Sequence, residues 1–523
     1  MTIIASLMLS STLLLHFESF LLTPMGCCNT GVLNSPVFQK TEAWGYLWVL
    51  LIRGVGWTTW VFLSVAILKY SNNSVGCSTK GFEMGWNSTM NRTQTEDEAN
   101  LVEIDCTGEI DFMGKMMTPS TAIPFTTSIG VILSCVISPI FGALIDRTEK
   151  RKLWTFMSIG LFIFINALQI FTTPDNWVLM LALQNFVARI GFQMHVACVA
   201  AYCTEIAEGE QEIIALQSAG RIAETGAMVG TLFTTIIGST ILGFGKDVGS
   251  TAAFAQSLAT AVSIPVFIHA FRKFEDRPAL NKTEGSILTS GFVQLYHTAR
   301  SLYNNNTYVL QYLLGLSFCD GGNSNVFVLF PIYAMLQTGL ENPALFTGLA
   351  MIVCIPGALS TKKVATKVGI RRQLGNILFS NSVICAVLAG AIYQDGNFLG
   401  ILLVSLGFGL TIGGTYPMQK GLYMRLIPAG QEVEFQGLYN LFSQLLQPLP
   451  LMWFVYCEDE MVGGENSMRI GMLGLVMFYF MAFLLMSFFM NEHAAVEKVK
   501  DTLHKRVRGK GVVGEGSAKV DPI

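Results

Sequence analysis

The chain has 523 residues, of which 51% are hydrophobic and only 13% charged, with a net charge of -3 at neutral pH. A soluble protein normally carries about a quarter of its residues as charges, so this composition argues against a water-soluble globular fold. The slightly negative balance argues against a nucleic-acid partner.

A helix needs roughly 20 mostly apolar residues to cross a bilayer. Twelve runs qualify in chain order. The first half offers 45–68, 121–144, 153–172, 177–202, 214–243 and 250–271. The second offers 309–335, 343–360, 374–393, 398–419, 434–456 and 469–490. The fifth is uninterruptedly apolar only over 227–245, which leaves its start open. The runs predict an all-α polytopic membrane protein with twelve transmembrane helices in two six-helix halves, 44–271 and 309–490. The linker 272–308 contains a stretch, Thr289 to Tyr303, that predicts an amphipathic helix lying on the membrane surface. Residues 1–43 form an N-terminal segment whose apolar part, 3–23, lacks a basic flank and is expected to stay uncleaved. The polar, glycine-containing tail 491–523 is expected to be disordered.

Basic clusters follow the even-numbered runs: Arg147 to Lys152, Arg272 to Arg277, Lys362 to Arg372 and Lys498 to Arg508. Odd-numbered exits are neutral or acidic, as at Glu458-Asp459-Glu460. Lysine and arginine favour the cytosolic side, which places both termini in the cytosol. The loop 70–117 then faces a lumen or the exterior, where its sequons at Asn72, Asn87 and Asn91 suit glycosylation. Cys77 and Cys106 in that loop either form a disulfide or remain free thiols.

Ionisable groups inside a membrane run are costly and face a cavity or a partner. Arg53 sits in the first run. Asn185, Arg189 and Gln193 recur every four residues in the fourth and form one polar stripe. Such a stripe suits a substrate path, with the arginine holding a carboxylate bidentately, or a structural ion pair. His195 lies off the stripe and reads as a packed polar residue. Gln217, Arg221 and Glu224 share a face of the fifth run and lie either in the path or at its cytosolic edge. In Cys319-Asp320-Gly321-Gly322-Asn323 the two glycines permit a helix break. Asp320 is a candidate proton or cation carrier, as is Glu224; a helix-packing hydrogen bond is the alternative for Asp320. Lys420 either binds an anion or reaches out to the cytosolic surface. Asn440 and Gln444 share a face of the eleventh run, which Gln447 also interrupts. No nucleophile–base set, nucleotide-binding loop or zinc spacing can be assembled, so a transporter is expected rather than an enzyme. No cofactor and no metal are expected, and a monomer in the bilayer.

A signature recurs once per half. Gly142-Ala143-Leu144-Ile145-Asp146-Arg147-Thr148-Glu149-Lys150-Arg151-Lys152 follows the second run, and Gly357-Ala358-Leu359 with its own basic cluster follows the eighth. The first copy resembles the loop signature of the major facilitator superfamily, with Glu149 where that family usually has glycine. Arg189 resembles the superfamily's fourth-helix arginine, and Tyr202-x-x-Glu205 resembles the acid that closes against the first loop. The resemblance implies a cytosolic gate of Gly142, Asp146, Arg147, Arg151 and Glu205 that breaks and reforms during alternating access. A longer stretch, Gly414 to Tyr439, has the core Leu426-Ile427-Pro428-x-Gly430-x-x-x-Glu434-Phe435-x-Gly437-Leu438-Tyr439. It resembles the vacuole effluxer family, the autophagy-related vacuolar amino-acid exporters and their bacterial relatives. Arg53 and the run Pro417 to Lys420 depart from that family's pattern. The likeness implies proton-coupled amino-acid export from a vacuole or other endomembrane compartment, with Asp320 carrying a proton or cation and Arg189 meeting a carboxylate; Asn323 would line the same path. The same fold carrying sugars, nucleosides or organic anions, and a non-transporting receptor or scaffold, are the rival readings.

Overall fold

The structure, a computed structural model, describes residues 35–74, 110–112, 114–147, 150–207, 210–243, 247–276, 287–338, 343–392, 397–427, 432–461 and 466–498. The described chain is almost wholly helical. In order the helices are α1 (Thr41–Ser74), α2 (Pro119–Arg147), α3 (Arg151–Leu168), α4 (Trp177–Ala182), α5 (Arg189–Ile206), α6 (Glu210–Ile241), α7 (Val248–Lys273) and α8 (Ile287–Asn305). Then follow α9 (Thr307–Thr338), α10 (Pro343–Val368), α11 (Ile370–Ala391), α12 (Phe398–Met424), α13 (Glu432–Leu445), α14 (Pro448–Tyr456) and α15 (Ser467–Leu484). A short antiparallel hairpin, β1 (Ile110–Phe112) with β2 (Lys115–Met117), leads into α2. Among the described residues, seven helices are long and apolar enough to cross a membrane by length and composition. α8 occupies the linker stretch for which the sequence predicts an amphipathic helix. Asn72 falls in the last turn of α1; Asn87, Asn91, Cys77 and Cys106 lie outside the described residues.

Packing inside each half is tight because small residues let backbones meet. α1 lies against α6 and α7. A Cβ on Gly54 of α1 would stand 2.1 Å from the Glu224 carbonyl oxygen of α6, so only glycine allows this approach. In the second half α10 packs on α12. There a Cβ on Gly357 would stand 2.5 Å from the Leu410 carbonyl oxygen. The halves meet where α2 touches α13 and α14, where α5 touches α13, and where α6 touches α10 and α12.

The break that Gly321 and Gly322 permit does not occur there. α9 runs unbroken through Asp320, Gly321 and Gly322. Those glycines make room for aromatic rings instead: a Cβ on Gly321 would lie 2.9 Å from Phe478 and one on Gly322 2.8 Å from Tyr479. The interrupted run is the eleventh, where α13 stops and α14 begins at Pro448. Proline has no N–H to offer the Gln444 carbonyl, which accepts from the Gln447 N–H at 3.2 Å instead, and the Asn325 amide donates to the adjacent Gln447 carbonyl at 2.7 Å. The fourth run carries a π-helical segment, Leu183–Ala188, immediately before Arg189. The fifth run, whose start the hydropathy leaves open, is one helix from Glu210 to Ile241, so Gln217, Arg221 and Glu224 all lie within it.

Placing a methyl group at Gly54 overpacks the α1–α6 contact, an effect of about 1–3 kcal/mol. Gly54→Ala is expected to lower the thermal unfolding midpoint in detergent. Gly226→Ala on α6, where no atom lies within 4 Å of the added carbon, is expected to leave it unchanged or raise it.

Candidate functional site

The buried charges of both halves converge between the helices. In the first half Arg53 and Glu224 form a bidentate pair, Nε to Oε1 and Nη2 to Oε2, both at 2.6 Å. Arg221, one turn before Glu224 on α6, donates to the same carboxylate at 2.9 Å. Glu224 is thus shared by two guanidinium groups rather than standing alone. His195 is buried beside this pair, within electrostatic reach of Arg53 and Glu224, and neither ring nitrogen has a hydrogen-bond partner among the described residues.

The polar stripe on the fourth run divides by role. Asn185 is consumed in packing: its amide donates to the Thr126 hydroxyl at 2.8 Å, and its carbonyl accepts from Thr127 at 3.3 Å. Arg189 is buried, donates from Nη2 to Gln447 Oε1 at 3.3 Å, and leaves Nε unpartnered. No described carboxylate lies within ion-pair distance of it. Gln193 accepts from the Gln444 amide at 3.0 Å, across the boundary between the halves. The first half therefore presents a buried guanidinium that meets one neutral amide, Gln447, and no described carboxylate.

In the second half Asp320 accepts from the Gln419 amide at 3.0 Å. Lys420, on the same helix as Gln419, is buried with its ammonium 3.4 Å from the centre of the Tyr439 ring and 5.9 Å from that of Tyr416. Asn323 accepts from the Tyr479 hydroxyl at 3.0 Å and belongs to the α9–α15 packing. Asn440 is buried on α13, the helix that also carries Gln444. Arg221 stacks on Tyr416 at 5.2 Å, which ties α6 to α12 across the two halves. Tyr416, Tyr439 and Gln419 were not marked as site residues by the sequence; no local spacing signals that an aromatic face will meet a lysine from another helix.

The gating residues suggested by the signature loop fall at helix ends: Gly142, Asp146 and Arg147 on the last turns of α2, Arg151 at the start of α3, Glu205 near the end of α5. Their side chains lie outside the described set. At the opposite end the structure gives a joint in full. Asp459, following α14, accepts from the Thr118 N–H at 3.3 Å, the Thr118 hydroxyl at 3.0 Å and the Thr121 hydroxyl at 3.2 Å. It caps the first turn of α2 from the other half, where a carboxylate also complements the helix dipole. Glu458 accepts from Ser467 at 2.8 Å and Ser120 at 3.4 Å. Burial pushes the Glu458 carboxyl above its ordinary range, outweighing the two hydroxyls that hold it down, and neighbouring Asp459 adds to the rise. Among the described residues no group of three or more histidine, cysteine or acidic side chains can hold a metal.

Two helical bundles facing each other across buried charge, joined at one end by breakable contacts, define a membrane transport protein. The chain belongs to the Major Facilitator Superfamily, whose family model matches residues 109–449, and it is a multi-pass transporter of that family. The uncharacterised MFS-type transporter YxiO of Bacillus subtilis (strain 168) is 19% identical over 387 residues, covering 72% of this chain and 86% of that protein. The lysosomal dipeptide transporter MFSD1 of Mus musculus is 30% identical over 73 residues, 14% of this chain and 16% of that protein. Among solved structures, a D-xylose-proton symporter matches with a TM-score of 0.61 at 14% identity, covering 88% of this chain and 99% of its own. The human organic anion transporter MFSD10 matches at 0.53 and 14% identity over 87% of this chain and all (100%) of its own. At these identities the structural likeness shows the fold alone.

Two predictions follow from the geometry. Glu224→Gln leaves Arg53 buried without its counter-charge, which typically costs about 3–5 kcal/mol. Unfolding in detergent should show a loss of that order. Arg53→Met with Glu224→Met should recover much of it, and strict additivity of the two single losses would contradict the pairing. The second concerns the Asp459–Glu458 joint. A carboxyl whose pKa is higher in the closed joint than in water binds its proton more tightly there, so closure gains as pH falls through the raised value toward about 4.3. Spin labels at the exposed Met116 and Tyr456 should show a growing short-distance population on acidification, and Glu458→Gln should flatten that dependence.

Proposed function

We propose that the protein exports amino acids from a vacuole or lysosome-like compartment to the cytosol by alternating access, driven by protons, with both termini in the cytosol. The observation that carries this reading is Arg189, a buried guanidinium with no described carboxylate partner and an unpartnered Nε. Burying such a cation is costly unless an anion arrives to meet it, and its planar fork fits a carboxylate. Asp320, held by one neutral amide rather than by a cation in contact, is free to exchange a proton or cation as the bundle changes state. The likeness of Gly414 to Tyr439 to the vacuole effluxers supports the cargo class. The 73-residue likeness to a mouse lysosomal dipeptide transporter supports an endomembrane compartment and a cargo with a free carboxylate.

The test is flux in proteoliposomes holding the purified chain, under an imposed proton gradient, with labelled amino acids, sugars and nucleosides. Saturable amino-acid flux that follows the gradient is expected. Arg189→Lys keeps the charge but loses the fork, and should raise KM about tenfold, equivalent to ~1.4 kcal/mol. Asp320→Asn should abolish gradient-driven accumulation. Flux confined to sugars or nucleosides would retain the transporter and discard the cargo.

A further inference from the structure

Lys420 and Asp320 are two opposite charges inside one half that act on each other through space without closing to a contact. Asp320 feels Lys420 electrostatically, yet no described carboxylate lies within ion-pair distance of the Lys420 ammonium. The ammonium rests on the face of Tyr439 instead, and the Asp320 carboxylate is held by Gln419. Two buried polar atoms beside them have no partner: the Tyr439 hydroxyl and the Gln419 side-chain carbonyl. The set is complementary by type. Lysine and a phenol hydroxyl donate; a carboxylate and an amide carbonyl accept.

We propose that Asp320, Gln419, Lys420 and Tyr439 form a zwitterion-recognising site in the second half. The cargo's carboxylate lies against Lys420 and the Tyr439 hydroxyl, and its ammonium against Asp320 and the Gln419 carbonyl. A cation and an anion that do not touch are both compensated by a molecule carrying the two opposite charges side by side, as the head of an α-amino acid does. Neither a sugar nor a nucleoside would compensate either charge. The site deepens the amino-acid reading and rests on it.

It is distinct from Arg189. Lys420 lies within electrostatic reach of Cys203 on α5, and Cys203 is fourteen positions beyond Arg189 on that helix, or about 21 Å of rise. The two stations therefore sit at different depths. Arg189 meets the carboxylate alone, beside the Gln447 amide of the second half. The Lys420–Asp320 station, toward the end where α5 and α12 finish, recognises both ends of the head group. α9, α12 and α13 supply all four of its side chains, so it can travel with the second half as that half rocks.

The test is equilibrium binding to the full-length purified chain, read by calorimetry, with three probes: L-leucine, L-leucinamide, which lacks the carboxylate, and N-acetyl-L-leucine, which lacks the ammonium. The native protein is expected to bind L-leucine about tenfold or more tighter than either truncated probe. Lys420→Gln should shrink the preference for L-leucine over leucinamide to what Arg189 alone contributes while keeping the preference over the acetylated probe; Lys420→Arg should restore the first. Tyr439→Phe, which removes one hydroxyl and keeps the ring under Lys420, should weaken L-leucine binding with leucinamide binding unchanged. It supplies the answer if Lys420→Gln does not fold. Undiminished discrimination in Lys420→Gln, or equal effects of Tyr439→Phe on all three probes, overturns the site while leaving amino-acid transport standing. A folded native protein that binds none of the probes but binds another solute overturns the amino-acid reading and this site with it.

Discussion

An ionised group away from water is costly unless a counter-charge meets it, and this constraint orders the contact between α1 and α6. Arg53 and Glu224 meet through two short charge-assisted hydrogen bonds because neither can remain buried alone. Their geometry depends on Gly54: α1 and α6 approach so closely at that residue that the Glu224 backbone occupies the space a side chain would need. The glycine sets the depth of the helix contact, and the contact places carboxylate against guanidinium one position from it. Arg221 then joins the same carboxylate, leaving the trio with one more cation than anion. That surplus is spread over the Tyr416 ring of the other half. Local packing thereby produces a field that is felt across the boundary between the halves.

The second half treats the same constraint differently. Its acid and base, Asp320 and Lys420, are kept apart and supported by an amide and an aromatic face. A cation over a ring gains about 0.5–2 kcal/mol, which is less than a closed, buried ion pair can supply. Glu224 is thus in contact with its counter-charges, while Arg189 and the Asp320–Lys420 set have no opposite charge in contact. Unsettled charge is what a transport path requires, since a cargo that met only satisfied groups would have no reason to enter.

Much of this was legible in the chain because charge in an apolar run is conspicuous. Arg53, Arg189, Glu224 and Asp320 all stand out as ionisable residues among leucines and glycines, and the four-residue spacing of Asn185, Arg189 and Gln193 placed them on one helix face. What the chain did not reveal were partners from distant helices. Nothing local pairs Arg53 with Glu224, 171 positions away. The Gly321-Gly322 pair reads locally as a break, but Phe478 and Tyr479 from α15 fill the notch and the helix continues. The actual interruption, at Gln447-Pro448, is braced by Asn325, which reaches over from α9 to the Gln447 carbonyl. The same limit hid the trans-cap at α2: Asp459 reads as an acidic loop residue until Thr118, 341 positions earlier, is seen to donate to it.

The distribution of interaction strengths explains how such a bundle can move. Within the first half, helices are held by backbone-to-backbone contact at glycine and by an ion pair whose breaking costs about 3–5 kcal/mol. Between the halves, beside apolar packing such as Met351 against Val61 and Met228, the described central polar contacts are one amide–amide hydrogen bond, one guanidinium–amide bond at 3.3 Å and one guanidinium on a tyrosine ring. A neutral hydrogen bond contributes about 1 kcal/mol net, and each can be exchanged for a bond to water or cargo. The acid joint at the end of α14 is of the same kind, carboxylates against hydroxyls and one backbone N–H. Strong contacts therefore lie inside a half and exchangeable ones between halves. Rigid-body rocking is the motion that breaks only the exchangeable set, and Arg189 sits on the moving boundary, where its Gln447 partner belongs to the other half. On the proposed reading, a cargo carboxylate at Arg189 would compete with that amide, so binding and loosening of the central contact would be one event.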